Sequence, residues 1–158
     1  YGYHAYFGGY LGIYFLVMFF PENWSYELFE TAARVPEYTT DYEPYTGRSS
    51  YAENCAGGYY AARLPILEML QHLKRQSSVL VIRFITGEYT LPLGVWVVRE
   101  AVRKALGSKP IEFGSSELML NYAAVLAKKK FSQDISGITS RSLLLKNIKQ
   151  QRKIAEFI

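Results

Sequence analysis

Three carboxylates in one polar stretch, Asp41, Glu43 and Glu53, with Arg48 among them, come nearest to a catalytic set in this chain. Clustered carboxylate oxygens hold magnesium, and magnesium activates water or polarises a phosphodiester. The chemistry this pattern permits is metal-dependent cleavage of nucleic acid. Its spacing is not diagnostic, and loop carboxylates usually stay solvated, so a magnesium-dependent nuclease or other DNA-processing enzyme is the alternative reading. Other catalytic routes are poorly supplied. A nucleophilic centre needs a base beside its nucleophile, and the two histidines, His4 and His72, sit near no motif serine. A structural zinc site takes about four soft ligands, whereas only Cys55, His4 and His72 are present, at no recognised spacing. The expectation is no resident metal or cofactor, with magnesium entering only if the enzyme reading holds. His72 is expected at the surface, and Cys55 buried and inert.

Anion binding is the other chemistry on offer. Arg48, Arg63, Arg83, Arg99 and Arg103 recur along the middle of the chain. Arg99 and Arg103 are four apart, which places them on one helical face within reach of adjacent phosphates. Gly57 and Gly58 precede a helical pattern, where free N–H groups favour an anion, and Tyr59 and Tyr60 follow directly. Arg48, Gly57, Gly58, Tyr59, Arg63, Arg99 and Arg103 are therefore the candidate DNA or phosphate contacts. The plain alternative is internal: Arg99 with Glu100, Arg63 with Glu68, and a glycine pair that serves only tight packing. Lys128, Lys129 and Lys130 end a helical segment and complement its dipole.

The last octet, Gln151 to Ile158, sets a glutamine, an aliphatic residue and an aromatic three apart, with Ile158 as a further apolar tip. In a 3₁₀ turn, positions i and i+3 eclipse, so Gln151, Ile154 and Phe157 would line one side of a plug. This looks like the clamp-binding peptide (the PIP box) by which replication and repair proteins dock on the sliding clamp, PCNA. The plain alternative is a terminal helix whose Ile154, Phe157 and Ile158 cap the core.

Composition bounds what can carry such sites. The chain has 158 residues, 49% apolar and 20% charged, which describes a globular domain. Its 14 tyrosines and 9 phenylalanines exceed what one core of this size hides, and exposed rings suit interfaces and base stacking. The net charge of +4 permits an anionic partner. One cysteine excludes an internal disulfide and fits a reducing, intracellular setting. The apolar run Leu11–Phe20 is too short to span a bilayer, and no signal-peptide pattern opens the chain. The first residue is Tyr1, so a piece of a longer protein is expected.

The elements follow from pattern. Tyr10–Phe20 reads as a buried strand, Trp24–Ala33 as a second, and Val35–Ser50 as an ordered loop. Asn54–Arg75 has helical period, with Pro65 expected to kink or restart it. Residues 77–86 form the clearest strand: the consecutive apolar residues Val79 to Ile82 imply burial on both faces. Pro92 and Gly94 mark a turn, and Val95–Leu106 a helix stopped by Gly107 and Pro110. Ser115 or Ser116 caps a helix to about Lys130, and Ser140 or Ser142 opens a last helix to Gln150. The expected fold is α/β or α+β, a mixed sheet with a long buried central strand flanked by helices. Residues 1–149 form the domain and 150–158 its tail.

Two blocks, Tyr42-Glu43-Pro44-Tyr45-Thr46-Gly47-Arg48-Ser49-Ser50-Tyr51-Ala52 and Gly57-Gly58-Tyr59-Tyr60-Ala61-Ala62-Arg63-Leu64, are unusual. With Lys74 to Arg83 and Pro92 to Glu100, they resemble the archaeal Nre family of DNA-repair proteins. The resemblance covers nearly the whole chain from Tyr10 onward. It implies an intracellular, chromosome-associated role in DNA repair, a clamp-binding peptide at the end, and sequence upstream that sometimes carries a cysteine-rich zinc motif. That motif is absent here. Two departures stand out: Ile158 occupies a place where an aromatic is frequent, and Pro65 interrupts a helix. The first reading is thus an adaptor tethered to PCNA that contacts DNA through a basic and aromatic surface, without a membrane. A self-packed interaction module is the weakest reading.

Overall fold

The strand expected over Tyr10–Phe20 is half of a hairpin. In this computed structural model, which describes residues 1–32, 37–87 and 94–156, with side chains through Gln151, β1 (Tyr3–Tyr10) pairs antiparallel with β2 (Ile13–Phe20). The two-residue turn between them has Leu11 at φ 53° and Gly12 at φ 81°. Two positive φ values match the right-handed twist of the strands, which is why such tight hairpins form. β1 is hidden from a pattern reading by Gly8 and Gly9. Gly8 is needed for closeness: a Cβ there would lie 2.8 Å from Cα of Ala105 on the helix above.

The remaining elements are β3 (Ser25–Ala32), β4 (Tyr38–Glu43), α1 (Ala56–Leu73), β5 (Ser78–Ile85), α2 (Val95–Leu106), β6 (Ile111–Phe113), α3 (Ser116–Phe131), α4 (Ser136–Arg141) and α5 (Leu143–Glu156). Among the described residues, the strands form one open mixed sheet in the order β4-β3-β5-β2-β1-β6. β5 lies parallel to β3 and antiparallel to β2. The architecture is α+β.

Strand alternation splits the core. Val79 and Val81 of β5 join Phe15, Val17, Tyr26 and Leu28 under α1 and α2. Leu80, Ile82 and Phe84 turn to the opposite face and meet α3, α4 and α5 through Met119, Ile138 and Leu144. The apolar run of β5 is therefore covered on both sides, the condition expected of it.

Three expectations need correction. The segment Val35–Ser50 is not all loop, since β4 occupies Tyr38–Glu43 as an edge strand with Asp41 and Glu43 facing inward. Buried carboxylates made that strand look polar. α1 runs unbroken through Pro65; a proline there removes one N–H and crowds one carbonyl, and its ring is buried in the packed face. α5 reaches Glu156 as an α-helix rather than giving way to a 3₁₀ turn at Gln151. The expected caps are present: Ser115 Oγ accepts from Leu118 N–H at 3.2 Å, and Ser142 Oγ from Leu145 N–H at 3.1 Å. The turn at Pro92 lies outside the described residues, as do Phe157 and Ile158.

Candidate nucleic-acid interface

β4 delivers two carboxylates to the α1 side of the sheet, and both are fully engaged there. Glu43 receives Arg63 Nε at 2.7 Å and Nη2 at 2.9 Å, a bidentate pair. Tyr59 Oη donates to it at 3.1 Å and Trp24 Nε1 at 3.4 Å. Burial alone would raise the Glu43 pKa, but the Arg63 hydrogen bonds and charge, helped by Trp24 and Tyr59, hold it below the ordinary carboxylate range. Tyr59 is pushed well up by burial and by the Glu43 charge, so it stays a phenol.

Asp41 accepts from the backbone N–H of Cys55 at 2.7 Å and from its Sγ at 3.2 Å. A carboxylate from a neighbouring strand thus sits at the N-terminus of α1, where the helix dipole favours a negative charge. The Cys55 thiol is raised by burial first and then by Asp41, which makes it inert at neutral pH. Glu53 is exposed. Among the described residues, no three of His, Cys, Asp and Glu gather as a metal-holding group.

The predicted anion contacts divide. Arg48 and Arg63 come together: with Ser50, Tyr51, Tyr60 and Glu43 they line a cleft of about 400 Å³. Arg48 is set by Nη1 donating to the Tyr42 carbonyl at 2.8 Å and Nε to the Ser50 carbonyl at 3.0 Å, with its guanidinium 5.6 Å from the Tyr59 ring centroid. Tyr59 lies beneath this cleft, fully buried. Gly58 stands beside Glu30: a Cβ there would crowd that carboxylate and lie 3.2 Å from Arg83 Nη1. That glutamate pairs with Arg83 at 3.1 Å. Gly57 approaches Val95 at the start of α2.

Arg99 and Arg103 share α2, away from the cleft lining. Arg103 pairs with Glu100 at 3.0 Å and Glu68 at 3.6 Å. Among the described residues, the buried Nε of Arg99 has no hydrogen-bond partner. The suggested internal pair of Arg63 exists, but with Glu43 across the sheet edge and not with Glu68. His72 is exposed on α1. Lys128, Lys129 and Lys130 occupy the last turn of α3, and Lys130 Nζ also sits 5.4 Å from the Phe7 ring.

Sequence reasoning passed over Tyr51 and Trp24. Tyr51 stacks on Tyr60 with centroids 4.6 Å apart, and Arg63 lies 5.7 Å from the Trp24 ring. The signal for Tyr51 was available, because it stands in the same block as Arg48.

The terminal helix is anchored from the other face. Glu27 of β3 is 1% exposed and accepts from Ser142 Oγ, from Leu143 N–H at 3.1 Å and from Leu144 N–H at 3.1 Å. Leu144, Leu145 and Ile148 of α5 are buried, and Gln151 is exposed.

A helix-covered mixed sheet with an arginine and tyrosine cleft at its edge defines an α+β module. The family model described as "Archaeal Nre, C-terminal" matches residues 43–157, and the chain belongs to the archaeal Nre family. It is 44% identical over 126 residues to a DNA repair protein NreA of Archaeoglobus fulgidus, covering 75% of this chain and 32% of that protein. The NreA of Haloferax volcanii is 39% identical over 114 residues, covering 66% and 27%. A DNA repair protein NreB of Archaeoglobus fulgidus is 34% identical over 154 residues, covering 91% and 37%. The chain thus spans about a third of the length of the relatives it matches. No solved structure matches it. Among the described residues, no helix is long and apolar enough to cross a membrane.

Proposed function

We propose that this chain serves DNA repair as an adaptor inside the cell, held to the sliding clamp PCNA by Gln151, Ile154, Phe157 and Ile158 and touching DNA through its basic and aromatic edge. The family match carries this reading, because the relatives are named DNA repair proteins. α5 is fastened by Glu27 and by Leu144, Leu145 and Ile148, so the clamp peptide follows a segment already tied to the sheet. Docking then spends little on ordering the preceding turns.

Calorimetry with purified clamp tests the proposal. A buried aromatic anchor dominates a small interface, so Phe157→Ala is expected to weaken binding by about 2 kcal/mol or more with the melting temperature unchanged. Unchanged affinity with collapsed thermal stability makes Phe157 a core residue and ends the clamp reading. For DNA, neutralising Arg48, Arg99 or Arg103 is expected to lower the slope of log affinity against log salt by about one unit for each phosphate no longer neutralised.

A further inference from the structure

The cleft at Arg48 and Arg63 has a larger neighbour. Trp24, Tyr45, Leu67, Leu70, Lys74 and Arg75 line a second cleft of about 800 Å³ beside the C-terminal end of α1. The two share a wall. Trp24 of the second donates to Glu43 and lies against the Arg63 guanidinium, and both of those residues line the first. One band therefore runs from Lys74 and Arg75, past Tyr45 and Trp24, to Tyr51 and Tyr60.

Charge and aromatic surface are unequally spread along it. Lys74 and Arg75 are exposed, and among the described residues no carboxylate lies within ion-pair distance of either. Lys74 is the left-handed cap of α1, at φ 53°. In the middle, Glu43 occupies two nitrogens of Arg63 and Asp41 lies 3.8 Å from Arg48 Nη1, which leaves little net charge there. The rings take over at this point. Tyr45 and Tyr51 are each 67% exposed, unusual for side chains of that size on a folded surface. Tyr51 is backed by Tyr60, whose hydroxyl accepts from Ala52 N–H at 3.0 Å, so the platform is fixed before any ligand arrives.

A cationic end followed by open rings is the chemistry of single-strand recognition. In a duplex each base face is covered by its neighbours, and rings like these have nothing to stack on. An unpaired strand offers phosphates to Lys74 and Arg75 and bare bases to Tyr45 and Tyr51. We propose that this band binds single-stranded DNA, with its backbone held at Lys74 and Arg75 and its bases stacked on Tyr45 and Tyr51. The inference rests on the DNA contact proposed above and narrows it to unpaired strands.

Fluorescence anisotropy of the full 158-residue chain with a labelled oligodeoxythymidine of about 12 nucleotides, and with a duplex of equal length, is the test. The expected result is at least tenfold tighter binding of the single strand. Tyr45→Ala and Tyr51→Ala are each expected to weaken it by about tenfold without changing the salt slope. Lys74→Gln together with Arg75→Gln is expected to flatten that slope by about 0.7 for each phosphate set free. All four positions are exposed, so circular dichroism and melting should stay as in the parent. Duplex binding as tight as single-strand binding overturns the inference and leaves a DNA contact standing. So does single-strand binding indifferent to both tyrosines. No binding of either DNA removes both this inference and the DNA contact it rests on.

Discussion

Glu27 and Glu43 are neighbours across one pair of strands and live under opposite rules. In the β3–β4 ladder Tyr26 faces Glu43, and Glu27 faces Tyr42, so a single step along the strand separates the two sides. Glu43 points toward α1 and meets a cation, Arg63 at 2.7 Å. Glu27 points toward α5 and meets a hydroxyl and two backbone N–H groups. Its pKa is raised, by burial first, even though those donors and Lys146 pull it down. The Glu43 pKa is lowered. Identical side chains thus end with opposite shifts, because a nearby guanidinium outweighs desolvation and neutral donors do not. One carboxylate builds a wall of the cleft, and the other starts the helix that leads to the clamp peptide.

Breaking the Glu27 side should have the largest effect. Glu27→Ala leaves Ser142 and two amide groups at a buried helix start without their acceptor, and is expected to cost about 3 kcal/mol in denaturant unfolding. Hydrogen exchange should place the loss in α5. If α1 opens instead, the division between the two faces is wrong.

On the other side, Arg63→Met strands a carboxylate that is mostly buried. The arginine is itself part-exposed, so the expected loss is about 2 kcal/mol, below that of a fully buried pair. Adding Glu43→Gln should restore part of it, and additive losses in the double-mutant cycle would show that the pair is not coupled. Tyr59→Phe removes one of the donors to Glu43, and is expected to cost about 1 kcal/mol. The smallest effect sharpens the contrast through pH. The folded-state pKa of Glu43 is depressed, so its contribution is present above the ordinary carboxylate pKa of about 4.3 and is lost as pH falls through the lower folded value. The folded-state pKa of Glu27 is raised, so its titration favours the fold below that ordinary value and is lost as pH rises through the higher folded one. Carboxyl NMR titration should show the two midpoints on opposite sides of the ordinary value. In Arg63→Met, the Glu43 midpoint should move up.

Much of the frame was legible because it depends on local chemistry. The run Val79 to Ile82 announced a strand covered on both faces, and β5 is third in the sheet order. Ser115 and Ser142 announced helix starts, since a hydroxyl that accepts from an N–H three residues on needs no distant partner. The limits of α2 were set by Gly94 and Gly107. β4 was hidden because Asp41 and Glu43 look solvated until Cys55, Arg63 and Tyr59 are brought to them. β1 was hidden because the value of Gly8 lies in the closeness of α2.

The same line divides the candidate site. Residue types alone marked Arg48 and Arg63 as cations near tyrosines, and the two do share a cleft. Arg99 and Arg103 are set on α2 outside that cleft, where Arg103 also pairs with Glu100 and Glu68, and Gly58 stands beside Glu30. Sequence determined the central strand, most helices, two of their caps and the stock of charges and rings, because those follow from neighbours along the chain. Only the tertiary structure decided which charges are cancelled and which remain open. That depends on partners separated by 20 residues for Arg63 and Glu43, and by more than 100 for Ser142 and Glu27.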